Sequence, residues 1–269
     1  MLQIHYYHST FYHLLDNHQQ LRKISAAQPG GLCWSARSGR LDYVDANTGK
    51  KFVWTETAGE KEDACAFSRM TCLVRDCCDR LVGVEAASAS LARWHEEQAV
   101  RFAGDIAGKK LTPVSVAPHS CGILYFAEPS GVYYVLPESF GVMKAYIHEG
   151  LDPVCIALSP DENIFYLSDK ADGCVHMLDF EHDARLARLR TLAFASEFPC
   201  GAPAHMAADR CGRLYCASPA GIHIFDSVGL RLARLTLPGV PLNVCAGGRD
   251  GQTLFLGTTE GIYTVTLNL

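Results

Sequence analysis

The stretch CGRLYCASPAGIHIFD, residues 211–226, decides the fold. A glycine turn leads into the short apolar run LYCA, the small-polar break SPAG follows, and IHIFD then alternates apolar and polar residues. Period-two alternation bounded by Gly, Asp and Ser is the mark of half-buried antiparallel strands. The same figure recurs in SGRLDYVDANTGKKFVW (38–54), CDRLVGVEAASASLARW (78–94) and CGILYFAEPSGVYYV (121–135). It returns again in ENIFYLSDKADGCVHMLD (162–179) and GQTLFLGTTEGIYTV (251–265). Anchored on Leu41, Leu81, Leu124, Phe165, Leu214 and Leu254, the repeats step by 40, 43, 41, 49 and 40 residues.

A period of about forty residues built from strand pairs predicts propeller blades of four strands. The expected fold is therefore all-β: one domain over 1–269, a six-bladed β-propeller with four-stranded antiparallel blades. A short apolar run precedes each hairpin: GGLCW, ACAF, VSVAP, PVCIALSP, HMAAD and NVCAGG. These runs are expected to be the innermost strands, lining the central channel. The sixth blade ends after its third strand, IYTVTL, so an N-terminal strand must close the ring and cover the open edge. ASLARWHEEQAV has local helix propensity, yet it falls where the outer strands of the second blade belong.

Composition limits the partners. The chain has 269 residues, 48% apolar and 20% charged, with a formal net charge of -5. That balance offers no electrostatic attraction to nucleic acid or to an anionic membrane. No apolar run approaches the roughly 18 residues of a membrane span, and the N-terminus lacks the pattern of a secretory leader. Twelve cysteines are scattered without a single C-x-x-C, so a thiolate zinc site is not expected. They read as reduced, mostly buried thiols of a cytoplasmic protein. Phosphate loops, G-x-S-x-G elbows and H-E-x-x-H helices are missing from the sequence.

PVCIALSPDENIFYLSD (153–169), GAPAHMAADRCGRLYCA (201–217) and PGVPLNVCAGGRDGQTLFLGTT (238–259) resemble the gluconolactonase, regucalcin (senescence marker protein) and luciferin-regenerating-enzyme family of propellers. GGLCWSARSGRLDYVDA (30–46) resembles that family's first blade. The resemblance implies a divalent cation such as calcium or zinc at the top of the channel, held by one Glu, two Asn and one Asp, that activates a lactone carbonyl or a water. In this chain those positions fall on Gly30, Val114, Val154 and Ala204. None has a donor side chain, so no metal or other cofactor is expected. The Asp that serves as acid/base in many relatives falls on the same Ala204.

Other residues are candidates in their own right. His205 directly follows the vacated Asp position, where a neutral imidazole could act as a base, with Asp152 or Glu62 as the accompanying carboxylate. Asn243 and Ser115 sit near the starts of inner strands and could contact a ligand, as could Glu62. His5, His8, His13 and His18 cluster near the N-terminus and read as edge-strand or solvated residues. Cys77 and Cys78 form a vicinal pair in a turn. ARLARLR (184–190) and LRLARL (230–235) read as outer strands with arginines facing solvent.

The first functional expectation is a divergent propeller that binds a small molecule in its channel after losing the family metal site, as a pseudoenzyme, carrier or sensor. The alternative is a lactonase-type hydrolase working without metal or with a relocated one. A protein-interaction platform is the second alternative, since a propeller scaffold serves many roles.

Overall fold

The computed structural model describes residues 2–15, 21–63, 69–95, 98–136 and 141–268. Two short strands come first, β1 (Gln3–Tyr6) and β2 (Arg22–Ser25). Six meanders follow. Blade A is β3 (Pro29–Ser35), β4 (Arg40–Asp45), β5 (Lys51–Thr55) and β6 (Gly59–Glu62). Blade B is β7 (Met70–Arg75), β8 (Leu81–Glu85), β9 (Ser90–His95) and β10 (Gln98–Phe102), and the small hairpin β11 (Asp105–Ile106) and β12 (Lys109–Lys110) follows it. Blade C is β13 (Ser115–Pro118), β14 (Leu124–Glu128), β15 (Gly131–Val135) and β16 (Val142–Tyr146). Blade D is β17 (Pro153–Leu158), β18 (Ile164–Asp169), β19 (Val175–Phe180) and β20 (Leu186–Ala193). Blade E is β21 (His205–Ala208), β22 (Leu214–Ser218), β23 (Gly221–Phe225) and β24 (Arg231–Thr236). Blade F has only β25 (Pro241–Gly247), β26 (Thr253–Thr258) and β27 (Gly261–Thr266) from the C-terminal part of the chain.

The expected strand closure is present, and it is double. Strand β2 pairs antiparallel with β27 and completes blade F. Strand β1 pairs with β24 as a fifth strand of blade E. Between them Phe11, Leu14 and Leu15 are buried in the core shared by blades E and F. One segment thus laces two blades together.

The six anchor residues are structurally equivalent. Each pairs with an inner-strand residue at the same level: Trp34, Arg75, Pro118, Leu158, Ala208 and Ala246. The register also corrects one strand. The second blade's inner strand is MTCLVR, Met70–Arg75, rather than ACAF, which overlaps residues 64–68 outside the described set. ASLARWHEEQAV contributes to β9 and β10, because burial against neighbouring blades overrides local helix propensity there.

Core packing lies between the blades. The residue after the anchor is a fully buried aromatic in four of them: Tyr125, Tyr166, Tyr215 and Phe255. Blade A places Asp42 there instead, also with no exposed surface. A buried carboxylate is tolerated only when paired, and Asp42 is ringed by Arg40, Lys51 and Arg75. Blades A and B approach unusually closely. A Cβ on Gly31 would lie 2.7 Å from the Leu73 amide nitrogen, and one on Gly30 would lie 2.0 Å from the Met70 carbonyl oxygen.

Candidate functional site

All six inner strands begin at one face of the ring, here the upper face. Proline stands at the first level in five blades, Pro29, Pro113, Pro153, Pro203 and Pro241, with Met70 in the sixth. A first-strand residue needs no N–H for the ladder, which suits proline. One residue further on, the register places Gly30, Thr71, Val114, Val154, Ala204 and Leu242 at the upper rim, four of them at bulges. These six positions include every one at which the family resemblance expects a metal ligand. Their side chains offer a single oxygen, the Thr71 hydroxyl. At Gly30 the volume of any side chain is already taken by the Met70 carbonyl.

The next level down consists of Gly31, Cys72, Ser115, Cys155, His205 and Asn243, and five of the six bind to the following blade. Cys72 Sγ lies 3.8 Å from the Val116 carbonyl oxygen. Ser115 Oγ accepts from the Ile156 amide at 3.2 Å, and Cys155 Sγ accepts from the Met206 amide at 3.2 Å. Asn243 Nδ2 donates to the Pro29 carbonyl at 3.0 Å, closing the circle from blade F to blade A. Gly31 makes its contact through the close backbone approach to Leu73.

His205 is the exception. Its Nδ1 is buried and has no hydrogen-bond partner. The ring borders the channel cavity, yet protein surrounds it, and this desolvation pushes its pKa down to about 4. At neutral pH the imidazole is uncharged.

Below this level lies a cavity of about 310 Å³, at the lower end of the range for small-molecule sites. Its walls are mainly aliphatic side chains and the thiols of Cys33, Cys72 and Cys245. Burial raises the pKa of all three thiols, so they are protonated, weakly nucleophilic groups. The floor has two functional side chains, Trp34 and Arg75. Trp34 stacks on Phe255 at 5.3 Å between ring centroids. Arg75 donates through Nη2 to Asp42 and through Nη1 to the Asp79 carbonyl at 2.5 Å. Its Nε is buried without a hydrogen-bond partner.

The sequence-derived candidates separate on this frame. His205 reaches the cavity. Ser115 and Asn243 do not line it; they are 3% and 4% exposed and tie one blade to the next. Asn243 Oδ1 nevertheless stays without a partner. Asp152 precedes β17, three residues above the level of His205, a rise of about 10 Å. No hydrogen bond or ion pair joins it to His205 among the described residues, so the two do not form a proton relay here. Glu62 is misplaced as a channel residue: it lies on the outermost strand of blade A, exposed, and pairs with Lys50 at 2.9 Å. Arg75 was not expected on the channel because the second inner strand was placed on ACAF, too early in the chain. Counting six residues back from Leu81, the spacing found in blades C and E, leads directly to it.

Two other constellations have structural explanations. Ser218 Oγ and His223 Nε2 are 2.9 Å apart in the core of blade E, like a nucleophile and its base. His223 Nδ1, however, faces Arg231 Nη2 at 3.2 Å. A guanidinium only donates, so Nδ1 accepts and Nε2 bears the hydrogen. Ser218 thus accepts from the imidazole and cannot hand it a proton, the reverse of nucleophile activation. Asp169, Asp172 and His176 bring three donor atoms within 4.8 Å of one another at a hairpin turn of blade D. Asp169 already accepts the Asp152 and Ala171 amides, each at 2.9 Å. Asp45 caps the corresponding turn of blade A in the same manner. Of the N-terminal histidines, His5 lies exposed on β1, and His18 falls outside the described residues.

Fold and channel together define a six-bladed β-propeller with an axial cavity. Residues 28–260 match the SMP-30/gluconolactonase/LRE-like region, and the chain belongs to this family. A gluconolactonase of Zymomonas mobilis is 34% identical over 145 residues, 51% of this chain and 40% of that protein. The alignment thus spans about two fifths of that relative's length. Among solved structures, a gluconolactonase from Xanthomonas campestris superposes with a TM-score of 0.88 at 22% identity, over 98% of this chain and 94% of the other. A calcium-binding protein, regucalcin, from Agrobacterium tumefaciens superposes with a TM-score of 0.71 at 13% identity, over 92% and 93% of the two chains. At these identities the structural likeness concerns the fold. No helix among the described residues is long and apolar enough to cross a membrane.

Proposed function

We propose that this protein binds a small molecule in its central channel and has given up the family's divalent cation. The observation that carries this reading is at Gly30, where the neighbouring Met70 carbonyl lies 2.0 Å from the place a Cβ would occupy. No Glu fits there without separating blades A and B. Val114, Val154 and Ala204 add no donor, and a hard dication needs several oxygens to replace its hydration. The residues present do not fit the cation. What remains is a cavity of mixed apolar and polar lining with a neutral imidazole on its wall, suited to binding and orientation.

A second reading is lactone hydrolysis without metal. It is favoured by the naming of both gluconolactonase relatives and by the neutral imidazole of His205 on the cavity wall. Elemental analysis, a calcium titration followed by thermal melting, and an assay with a gluconolactone panel distinguish the readings. Binding without metal predicts no stoichiometric metal and a Tm shift below about 1 °C at millimolar calcium, since a ligand of the native state must raise stability. Stoichiometric calcium or zinc together with chelator-sensitive lactone hydrolysis would sink it. Hydrolysis that survives chelator and disappears in His205→Leu would establish the second reading.

A further inference from the structure

Three turns at the lower rim of the ring are built alike. In blades B, C and E the inner strand passes to the second strand through a four-residue turn closed by one backbone hydrogen bond. The Asp79 amide donates to the Asp76 carbonyl at 2.9 Å, Gly122 to His119 at 2.9 Å and Gly212 to Asp209 at 3.0 Å. The third residue of each turn is an exposed cysteine: Cys78, Cys121 and Cys211. Of the three, blade B alone has a cysteine at the second position too, where blade C has Ser120 and blade E has Arg210. Cys77 and Cys78 are both exposed, and their Sγ atoms stand 3.9 Å apart.

The turn holds the two thiols in place. The buried Asp76 carboxylate accepts the Cys78 and Arg80 amides at 2.9 and 3.0 Å, and pairs with Arg80 Nε at 2.8 Å and Arg93 Nε at 3.3 Å. Asp79, in the left-handed region at φ 62°, accepts from Arg75 Nη1 at its carbonyl, 2.5 Å, and from Ser35 Oγ at its carboxylate, 3.1 Å. A pair fixed before binding keeps the ordering cost low.

Three chemistries compete for such a pair. A direct disulfide needs sulfurs about 2.05 Å apart and α-carbons ordinarily about 4.4–6.8 Å apart, whereas neighbours across a trans peptide are fixed at about 3.8 Å. That ring is strained and easily reduced. A soft dication in a structural site wants about four ligands. Here it finds two, because the Asp76 carboxylate is already occupied, and it must also expel protons from thiols of which Cys77 has a pKa raised by desolvation and by the Cys78 thiol. A trivalent centre with one organic substituent needs two sulfur bonds and no more. On the scale of a thiolate–metal bond of about 2.3 Å, two sulfurs on one central atom stand up to about 4.6 Å apart. The observed 3.9 Å falls inside that limit without opening the turn.

We infer that Cys77 and Cys78 form a two-thiol binding site for trivalent arsenicals, soft thiophiles carrying one organic group. The dihydroxy arsenical gains two As–S bonds and loses two As–O bonds. The two thiol protons leave with the two hydroxides as water, and no atom changes oxidation state. The site lies on the lower rim, away from the cavity lining, and does not depend on what the channel binds.

Phenylarsine oxide, titrated into the reduced full chain and followed by intact mass and free-thiol count, tests this. One adduct per chain and the loss of two thiols are expected, with the adduct on the peptide that contains residues 77–78. Excess monothiol should leave it in place, and a small dithiol should strip it. Cys77→Ser and Cys78→Ser should each weaken binding about a hundredfold, because the second bond closes intramolecularly. Cys121→Ser and Cys211→Ser should leave it within twofold. Melting temperatures monitor the fold of each variant, and peptide mapping of the wild-type adduct decides the matter without them. An adduct mapped elsewhere, one that a monothiol removes, or one undiminished in either Cys77→Ser or Cys78→Ser would overturn the inference.

Discussion

Blade E holds two histidines in opposite situations. His205 stands on the inner strand, and His223 lies two strands outward, about 10 Å away by strand spacing. Burial pushes both pKa values down, to about 4 for His205 and about 3 for His223, the latter with help from Arg231 and Arg234. Yet His223 has a partner on each nitrogen, Ser218 and Arg231, while His205 Nδ1 has none. Burial and a displaced pKa therefore do not tell the two rings apart. The unfilled hydrogen bond does.

Breaking the satisfied member should cost the most. His223→Ala removes partners from Ser218 and Arg231 inside the core and leaves a cavity, so denaturant unfolding should show a loss of about 4 kcal/mol. Affinity for the gluconolactone panel should stay within twofold. A lactone affinity that collapses alongside stability would mean that the two regions are coupled, contrary to their separate hydrogen bonding.

Acid should destabilise through both rings. Their folded pKa values lie below the unfolded value of 6.5, so the unfolded chain takes up protons first as pH falls. Stability is complete above about pH 6.5 and declines from there towards pH 4. At about 1.4 kcal/mol per pH unit, His205 alone accounts for roughly 3 kcal/mol across that window. Unfolding curves for His205→Leu should flatten by this share. An unchanged slope would show that the ring is hydrated in solution.

Within the level that contains His205, ties and vacancy should also differ. Ser115→Ala strands the buried Ile156 amide and should cost about 1–2 kcal/mol in chemical denaturation. His205→Leu strands nothing, and should lie within about 1 kcal/mol of wild type. The smallest effect belongs to Glu62→Gln. Its exposed pair with Lys50 predicts a stability change below about 0.5 kcal/mol and no change in lactone binding.

Much of this was legible in the sequence. The anchors Leu41, Leu81, Leu124, Phe165, Leu214 and Leu254 are apolar because each is buried between blades at one common level, and period-two alternation reports that burial directly. The long step from Phe165 to Leu214 reflects the eight-residue β20 and the turn after it. Gly30, Val114, Val154 and Ala204 could be placed at the rim because the prolines before the inner strands hold the count. Side-chain direction was not legible. Whether Ser115 and Asn243 meet a ligand or the next blade depends on the close approach of neighbouring strands, which leaves no trace in local pattern. Glu62 was misjudged for a similar reason, since an outer strand and a rim loop can carry the same charged residues. The unfilled nitrogen of Arg75 could not be foreseen, because it depends on which of its five donors Asp42 and Asp79 occupy.

The lacing of blades E and F by β1 and β2 has a consequence for how the molecule comes into being. Arg22 pairs with Thr264, 242 positions along the chain by subtraction, among the most distant pairings the protein makes. Contacts of such separation are costly to reach, and folds that depend on them form slowly. Until they form, the open edges of β24 and β27 are available to another molecule's strand, so crowded, unassembled chains should be prone to exchange their first twenty-five residues with a neighbour.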